Sequence, residues 1–335
     1  MNQTYLTLLS YPIILITIIL ISNKLKLVDK PSSRKIHSES IVNTSGVALY
    51  IFLFFIISTN EFSYELETVV AIGLFVILIG FIDDRIDLTP GIKLFFKSIA
   101  VVYLIFNGFN LEDLGSYEFF QTINLGKFAF VFTFLAALLL MNAFNYIDGI
   151  DGLLFGTTIT ALLYFIFLTN DSSNYINLFL YLLYALLVNL FFNMLPIRSK
   201  LKCFSGNAGS LFLGFFISFS IIFLYKKHNI HPAFLIWSCW YSVYDFIYVT
   251  FIRIIKQKKF TKADKTHFHH QVLKYFNNNQ IKSSIVINIL NICIIGTGYC
   301  ITAYIGKIFS LFFFIILFFV FILTRKKLFQ STQNY

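Results

Sequence analysis

The chain has 335 residues, of which 58% are hydrophobic, 19% aromatic and only 13% charged. A soluble domain carries about 25% charged residues, so too little polar sequence remains to cover a water-facing surface, and a soluble all-α protein is excluded in favour of a membrane one. The net charge of +10 does not point to nucleic acid. The basic residues fall in loops between apolar runs, where anionic lipid head groups and phosphorylated substrates are the nearer partners.

Apolar runs near the length that crosses a ~30 Å hydrocarbon core as a helix recur along the whole chain. They predict a single domain over 1–335, an all-α polytopic membrane protein of about eleven transmembrane helices. The expected spans are 5–22, 46–60, 68–82, 94–108, 128–144, 153–169, 175–194, 210–225, 232–251, 284–303 and 308–324. The first reads as a span and not a cleaved signal, because no basic residue precedes it and a charged loop follows. Lys and Arg crowd alternate loops: Lys24 to Lys35, Arg85 and Lys93, Arg198 to Lys202, Arg253 to Lys282, and Arg325 to Lys327. The other loops hold only Lys127, Lys226, Lys227 and Lys307, and Lys97 lies within a span. The positive-inside rule therefore predicts the N-terminus outside and the C-terminus cytoplasmic. Cys203, Cys239, Cys293 and Cys300 show no metal or disulfide spacing.

The carboxylates on the predicted inner side are mostly Asp and lie at helix ends, and the informative polar residues of that side gather in five segments. The first is the basic loop Asp29-Lys-Pro-Ser-Ser-Arg-Lys-Ile-His37, in which Lys35 is a candidate phosphate contact. The second, Gly80-Phe-Ile-Asp-Asp-Arg-Ile-Asp-Leu88, puts Asp83 beside Asp87 if the helix continues, with Asp84 offset by about 100°. Either a cation offsets these charges, or they form a solvated helix end with Arg85 as counter-ion.

The third segment, Asn142-Ala-Phe-Asn-Tyr-Ile-Asp-Gly-Ile-Asp-Gly-Leu153, is the most specific. Asn142, Asn145 and Asp148 follow at steps of three, so one helix face offers two amides and a carboxylate. Gly149 and Gly152 let the backbone turn and let a ligand approach, with Asp151 between them. In the fourth, Cys203-Phe-Ser-Gly-Asn-Ala-Gly-Ser210, Gly206 and its neighbours expose backbone N–H groups at a helix start, which suits a phosphate; glycine-rich turns into helices are common, so this signal is weak alone. The fifth is Asp264-Lys-Thr-His-Phe-His-His270, where His267, His269 and His270 suit anionic oxygens or a metal; the plain alternative is a basic loop resting on lipid.

Polar groups gathered at one face favour an enzyme with one substrate in the leaflet and one in the cytosol, over a transporter, whose site would sit at mid-membrane. Carboxylates and amides with scattered cations suggest Mg²⁺ and a diphosphate.

In this order and spacing the segments, from about Asp29 to His270, resemble the polyprenyl-phosphate N-acetylhexosamine-1-phosphate transferases. That family includes the bacterial enzymes that begin enterobacterial common antigen, O antigen and wall teichoic acid, and the phospho-MurNAc-pentapeptide translocase of peptidoglycan synthesis. The His-x-His-His loop resembles the branch that uses simple UDP-amino sugars. The resemblance implies that undecaprenyl phosphate attacks the β-phosphorus of a UDP-N-acetylhexosamine, with GlcNAc as the default sugar and GalNAc, QuiNAc or FucNAc as alternatives, and that UMP leaves. It implies Mg²⁺ (with Mn²⁺ as a substitute), an inner-membrane setting with the site facing the cytoplasm, and room for a homodimer.

The same resemblance implies the residue roles. Asp83 and Asp84 match carboxylates that handle the lipid phosphate, Asn145 a magnesium ligand and Asp148 its support. Asp151 matches a position near the nucleotide base, while Arg253, His267, His269 and His270 match the loop that holds diphosphate and sugar. Two departures stand out. Asn207 occupies the place of the family's Asp, the second magnesium ligand, which predicts weaker metal binding, and Val42-Asn-Thr-Ser-Gly46 replaces the usual Pro and Gly-Gly. A catalytically weakened member acting as a structural partner in glycan assembly is therefore the main alternative, ahead of a polytopic transporter.

Overall fold

Backbone polar groups in lipid have no water to bond, so a chain this apolar must satisfy them within helices. The computed structural model describes residues 2–31, 39–119, 121–169, 174–256 and 266–333. In chain order these form α1 (Asn2–Lys24), β1 (Val28–Asp29), β2 (Ile41–Val42), α2 (Ser45–Thr59), α3 (Tyr64–Ile86), α4 (Pro90–Phe106), α5 (Ala129–Ile147), α6 (Leu153–Leu168) and α7 (Asn174–Asn193). There follow α8 (Gly206–His228), α9 (Pro232–Leu235), α10 (Trp240–Ile255), α11 (Phe268–Tyr275), α12 (Gln280–Cys300) and α13 (Lys307–Gln333).

The protein is an all-α multi-pass membrane protein. Eight helical stretches among the described residues are long and apolar enough to cross a bilayer: Thr7–Lys24, Tyr64–Ile86, Gly126–Ile147, Tyr175–Asn193, Gly206–His228, Pro232–Ile255, Gln280–Ile305 and Lys307–Lys327. The shorter apolar helices α2 and α6 and the 17-residue α4, which carries Lys93 and Lys97, stand at the other three expected spans. One expected span is not a uniform helix. Pro232 starts α9, a tight turn occupies Ile236–Cys239, and Cys239 (φ −121°, ψ 9°) leaves helical geometry before α10 begins.

α8 is the hub, packed against α3, α5 and α2. Its axis is reached closely because small residues line the crossings. A Cβ on Gly80 of α3 would lie 2.4 Å from the Ala208 Cα, and one on Gly46 of α2 would lie 2.2 Å from the Gly209 Cα. Both crossings sit at the first turns of α8, so they bring the polar end of α3 and the segment before α2 onto its N-terminus. The two-residue strands pair antiparallel, Val28 with Val42 and Asp29 with Ile41, and Val42 also bridges Cys203 in parallel. Phe204 N donates to the Val42 carbonyl (2.7 Å), and Ser45 N to the Phe204 carbonyl (3.2 Å). This ribbon fixes the chain that leads into α8. The four cysteines are free.

Candidate active site

The α3 helix stops one residue before Asp87, which takes a left-handed conformation (φ 46°) and donates its N–H to the Asp83 carbonyl (3.1 Å). Asp87 therefore does not continue the helix beside Asp83, as an unbroken α3 would require. The two are instead bridged by Lys93 of α4, 2.7 Å from Asp83 Oδ1 and 3.5 Å from Asp87 Oδ1. Arg85 is not their counter-ion: it donates to Asn43 Oδ1 (2.8 Å) and rests over the Phe81 ring. Asp83 is buried and further held by Leu88 N (3.0 Å) at Oδ1 and by Asn207 Nδ2 (2.8 Å) at Oδ2.

Asp84 reaches the start of α8. Its Oδ1 accepts from Asn207 N (3.1 Å), while its buried Oδ2 has no hydrogen-bond partner within the protein. Gly206 makes this possible: with φ +70°, it would place a Cβ 2.5 Å from that oxygen. The helix start predicted here for a phosphate is thus already faced by the protein's own carboxyl group, Asp84, which accepts from Asn207 N where a helix N-terminus favours an acceptor.

From α5, Asn145 Nδ2 donates to Asn207 Oδ1 and Ser210 Oγ, both at 2.8 Å. Asn207 is the knot of the site, touching Asp83, Asp84 and Asn145 at once. Asn142, one turn earlier, donates to the Leu138 carbonyl (2.7 Å) and accepts a short hydrogen bond from Lys97. α5 ends at Ile147, and Asp148 caps it, accepting from Ser205 Oγ at 2.5 Å. Burial pushes the Asp148 carboxyl up to about 6; the Ser205 bond opposes this, and repulsion from Asp151 and Asp29 adds to it.

The turn after Asp148 is tied down rather than open. Asp151 Oδ2 pairs with the buried Lys202 at 2.7 Å, and Lys202 also caps the end of α7 through the Asn193 and Leu195 carbonyls. Gln280 of α12 accepts from Asp151 N (3.0 Å), and Asn193 Oδ1 accepts from Gly152 N (2.6 Å). Gly149 lies against a histidine: a Cβ there would be 2.2 Å from His269 Nε2.

The histidines complete this end of the molecule. His267 Nδ1 is 2.7 Å from Asp245 Oδ2, and its ring meets Tyr146 edge-on at 5.2 Å. The buried Arg253 guanidinium sits over the other side of that cluster, 5.6 Å from the Tyr146 ring centre. His269 is fully buried with neither ring nitrogen bonded; burial and the neighbouring His270 and His267 hold it well below the usual 6.5, so it is neutral at neutral pH. His270 lies 4.2 Å from it, ring to ring. Lys35 and Asp264, named from the sequence, lie outside the described residues.

The structure thus links Asp83, Asp84, Asn145, Asn207 and Gly206 into one network, joins Asp148 to it through the residues flanking Gly206, and brings His269 against the turn that follows Asp148. It adds residues that sequence reasoning gave no role: Lys93, Lys97, Lys202, Ser205, Asp245 and Arg325. The available signal was an ionisable residue inside an apolar run, which carries a cost in lipid and so marks a partnered or functional site. Lys97 and Asp245 both met it.

The donor set also bears on a metal. Among the described residues, no three His, Cys, Asp or Glu side chains converge as a metal cluster. The orphaned Asp84 Oδ2, an acceptor with nothing to accept from, and the amide oxygens of Asn145 and Asn207 form an all-oxygen set. This fits a hard cation that keeps waters and takes further oxygens from a phosphorylated ligand, not a closed protein cage.

Comparison with known proteins is a separate line of observation. Residues 66–225 match the family model described as "Glycosyl transferase family 4". The chain is 27% identical over 309 residues to a "Probable undecaprenyl-phosphate N-acetylglucosaminyl 1-phosphate transferase" of Bacillus subtilis (strain 168), covering 90% of this chain and 83% of the relative. It is 27% identical over 261 residues to an "Undecaprenyl-phosphate alpha-N-acetylglucosaminyl 1-phosphate transferase" of Escherichia coli O157:H7, covering 76% and 71%, and 27% identical over 257 residues to the protein of that name in Yersinia pestis, covering 75% and 70%. The matched region runs from α3 through α8 and contains the Asp83–Asn207 network, so the likeness to glycosyl transferase family 4 falls on the residues of the candidate site.

Proposed function

We propose that this protein transfers GlcNAc 1-phosphate from UDP-GlcNAc to undecaprenyl phosphate, releasing UMP and starting a lipid-linked cell-surface glycan. The observation that carries this reading is the network in which α8 presents Asn207 to both Asp83 and Asp84, with Asn145 on its other side. It is an oxygen-rich, partly unsatisfied helix junction in a chain whose relatives are named for this reaction.

The reaction forms a bond from a lipid phosphate oxygen to the β-phosphorus and breaks the bond from that phosphorus to the UMP oxygen. A phosphate monoester carries close to two charges at neutral pH, so the protein's task is mostly to gather and orient anions. Lys93 and Lys97 supply positive charge beside Asp83 and Asn142. Arg253, His267 and His270 supply donors for the diphosphate and sugar. Asp148, pushed up to about 6, is a carboxylate that can take and return a proton near neutral pH. A Mg²⁺ or Mn²⁺ ion would be held by Asp84, Asn145 and Asn207 and would supply charge neutralisation for the departing phosphate. The excess of Lys and Arg in alternate loops supports eleven spans in a plasma membrane, N-terminus outside, with this end facing the cytoplasm.

One observation favours a second reading. Asn207 brings no charge to a cation and turns its NH₂ group toward Asp83, as a weakened member serving as a scaffold would. Purified protein with undecaprenyl phosphate, UDP-GlcNAc and Mg²⁺ decides the matter by UMP release. Release that requires both lipid and metal establishes the transferase. A silent parent beside an active Asn207→Asp variant establishes the weakened scaffold, and silence from both with every UDP-amino sugar refutes the transferase reading.

A further inference from the structure

A second ion cluster lies behind the histidines, outside the family-matched region. Asp245 on α10 and Arg325 on α13 are both fully buried, although 80 residues separate them. Asp245 Oδ1 accepts from Arg325 Nη1 (2.5 Å) and from Phe268 N (2.8 Å), and Oδ2 faces His267 Nδ1 (2.7 Å). The other arm of Arg325 donates to the Thr266 carbonyl. Its guanidinium lies 4.1 Å from the Tyr248 ring centre and 5.5 Å from that of Phe321. Three successive residues, Thr266, His267 and Phe268, are therefore fastened to one Asp–Arg pair.

This is more than packing requires. Burying an ion pair costs about as much in lost hydration as it returns, so such pairs are weak devices for stability and better ones for fixing a geometry. Here the geometry fixed is that of a functional loop. The Asp245 carboxylate holds the first N–H of α11, the favourable place for an anion. By occupying Nδ1 it also sets the tilt of the His267 ring and leaves Nε2 as the edge available to a ligand. On its other flank His267 meets Tyr146, over which Arg253 sits. The brace thus runs from the last helix of the chain, through Asp245, to the rings at the active-site end.

We infer that Asp245 and Arg325 are positioning residues: together they hold the 266–268 backbone and orient His267 toward the anionic diphosphate-sugar substrate, which makes α13 part of the active-site scaffold. The kinetic part rests on the transferase reading above; the structural part does not. The test uses the full chain and its variants Asp245→Asn, Arg325→Met, Arg325→Lys and His267→Ala, alone and with His267→Ala as background. Hydrogen exchange is followed across 266–275 and across α8, and UMP release is measured as a function of UDP-GlcNAc.

The expected result is exchange in 266–275 at least about tenfold faster in Asp245→Asn and Arg325→Met, with α8 unchanged. kcat/KM for UDP-GlcNAc falls roughly 10- to 100-fold, the range found when the outer partner of a functional histidine is removed, mainly through KM. Arg325→Lys, which keeps the charge but not the two-armed reach, falls between. In the His267→Ala background the same changes cost less than about twofold, because the ring they orient is gone. Unchanged exchange in 266–275, or costs that multiply fully with His267→Ala, overturns the inference. Should Arg325→Met fail to fold, Asp245→Asn and Arg325→Lys carry the same test. A parent silent toward UDP-GlcNAc defeats the transferase reading, while the exchange data still decide whether the brace exists.

Discussion

α8 and α13 are both membrane-length apolar helices, yet 89% of the α8 span is buried and only 17% of the α13 span. α8 is buried by other helices at close range, and its contacts with the site carboxylates and amides lie at its start, where Gly206, Asn207 and Ser210 meet α3 and α5. α13 is exposed along most of its length, yet it buries one full charge, Arg325. In lipid, apolar side chains gain nothing by moving from acyl chains to a helix interface, so tight packing of small residues and polar contacts must decide what associates. The two helices illustrate the two means: close backbone crossing for α8, and for α13 polar tethers, the buried Arg325–Asp245 pair with hydrogen bonds from Trp237 to Ser310 and from Tyr244 to the Phe314 carbonyl.

The largest expected effect tests whether the start of α8 is where the reaction occurs. Asp84→Ala removes both the anchor of Asn207 N and the unsatisfied oxygen beside it. UMP release should fall by at least about a hundredfold, the lower bound for a group acting directly on the reaction, while size-exclusion behaviour stays that of the parent. Retained turnover would separate the buried end of α8 from the chemistry.

The packing half of the comparison is next. Gly80→Val places atoms where Ala208 backbone already stands, and overpacking of this kind costs about 1–3 kcal/mol. Phe319→Leu, at an exposed position on α13, should cost less than about 0.5 kcal/mol. Thermal unfolding in one detergent compares them. Equal losses would mean that α8 is no more tightly held than α13.

The third prediction concerns charge. Asn207→Asp adds a carboxylate where an amide now bridges Asp83 and Asn145. Since charge count among the ligands sets divalent affinity, Mn²⁺ binding followed by electron paramagnetic resonance should tighten at least about tenfold. No change would mean that Asn207 faces no cation.

How far the sequence reached follows from the range of each interaction. Span positions came from apolar run length, and Asn142, Asn145 and Asp148 from helical spacing; both are local properties. Asp83 was placed beside Asp87 only if α3 continued; a single left-handed residue ends it, and nothing in a run of carboxylates announces that turn. The helix start at Gly206 was read as open to a phosphate because its occupant, Asp84, lies 123 residues away. Lys202 with Asp151 and Arg325 with Asp245 are likewise products of helix packing. Their sequence trace is only an ion left in or beside an apolar stretch.

The smallest effect, and the sharpest on mechanism, is in pH. Asp148 ordinarily would titrate near 3.8, and in the folded protein it is pushed up to about 6. The native state therefore holds that proton more tightly than the unfolded chain, so this group's contribution to stability is greatest in acid and is lost as pH rises from about 4 through about 6. Activity runs the other way if the carboxylate must be ionised: UMP release should rise with pH along a limb centred near 6. Ser205 donates to Asp148 and opposes the upward shift. Ser205→Ala removes a hydrogen bond to a charged group, worth about 1.5–3 kcal/mol, and each unit of pKa is about 1.4 kcal/mol, so the limb should move up by roughly one to two units. A limb that stays in place in Ser205→Ala would mean that another group, and not the carboxylate that caps α5, sets the acid side of the profile.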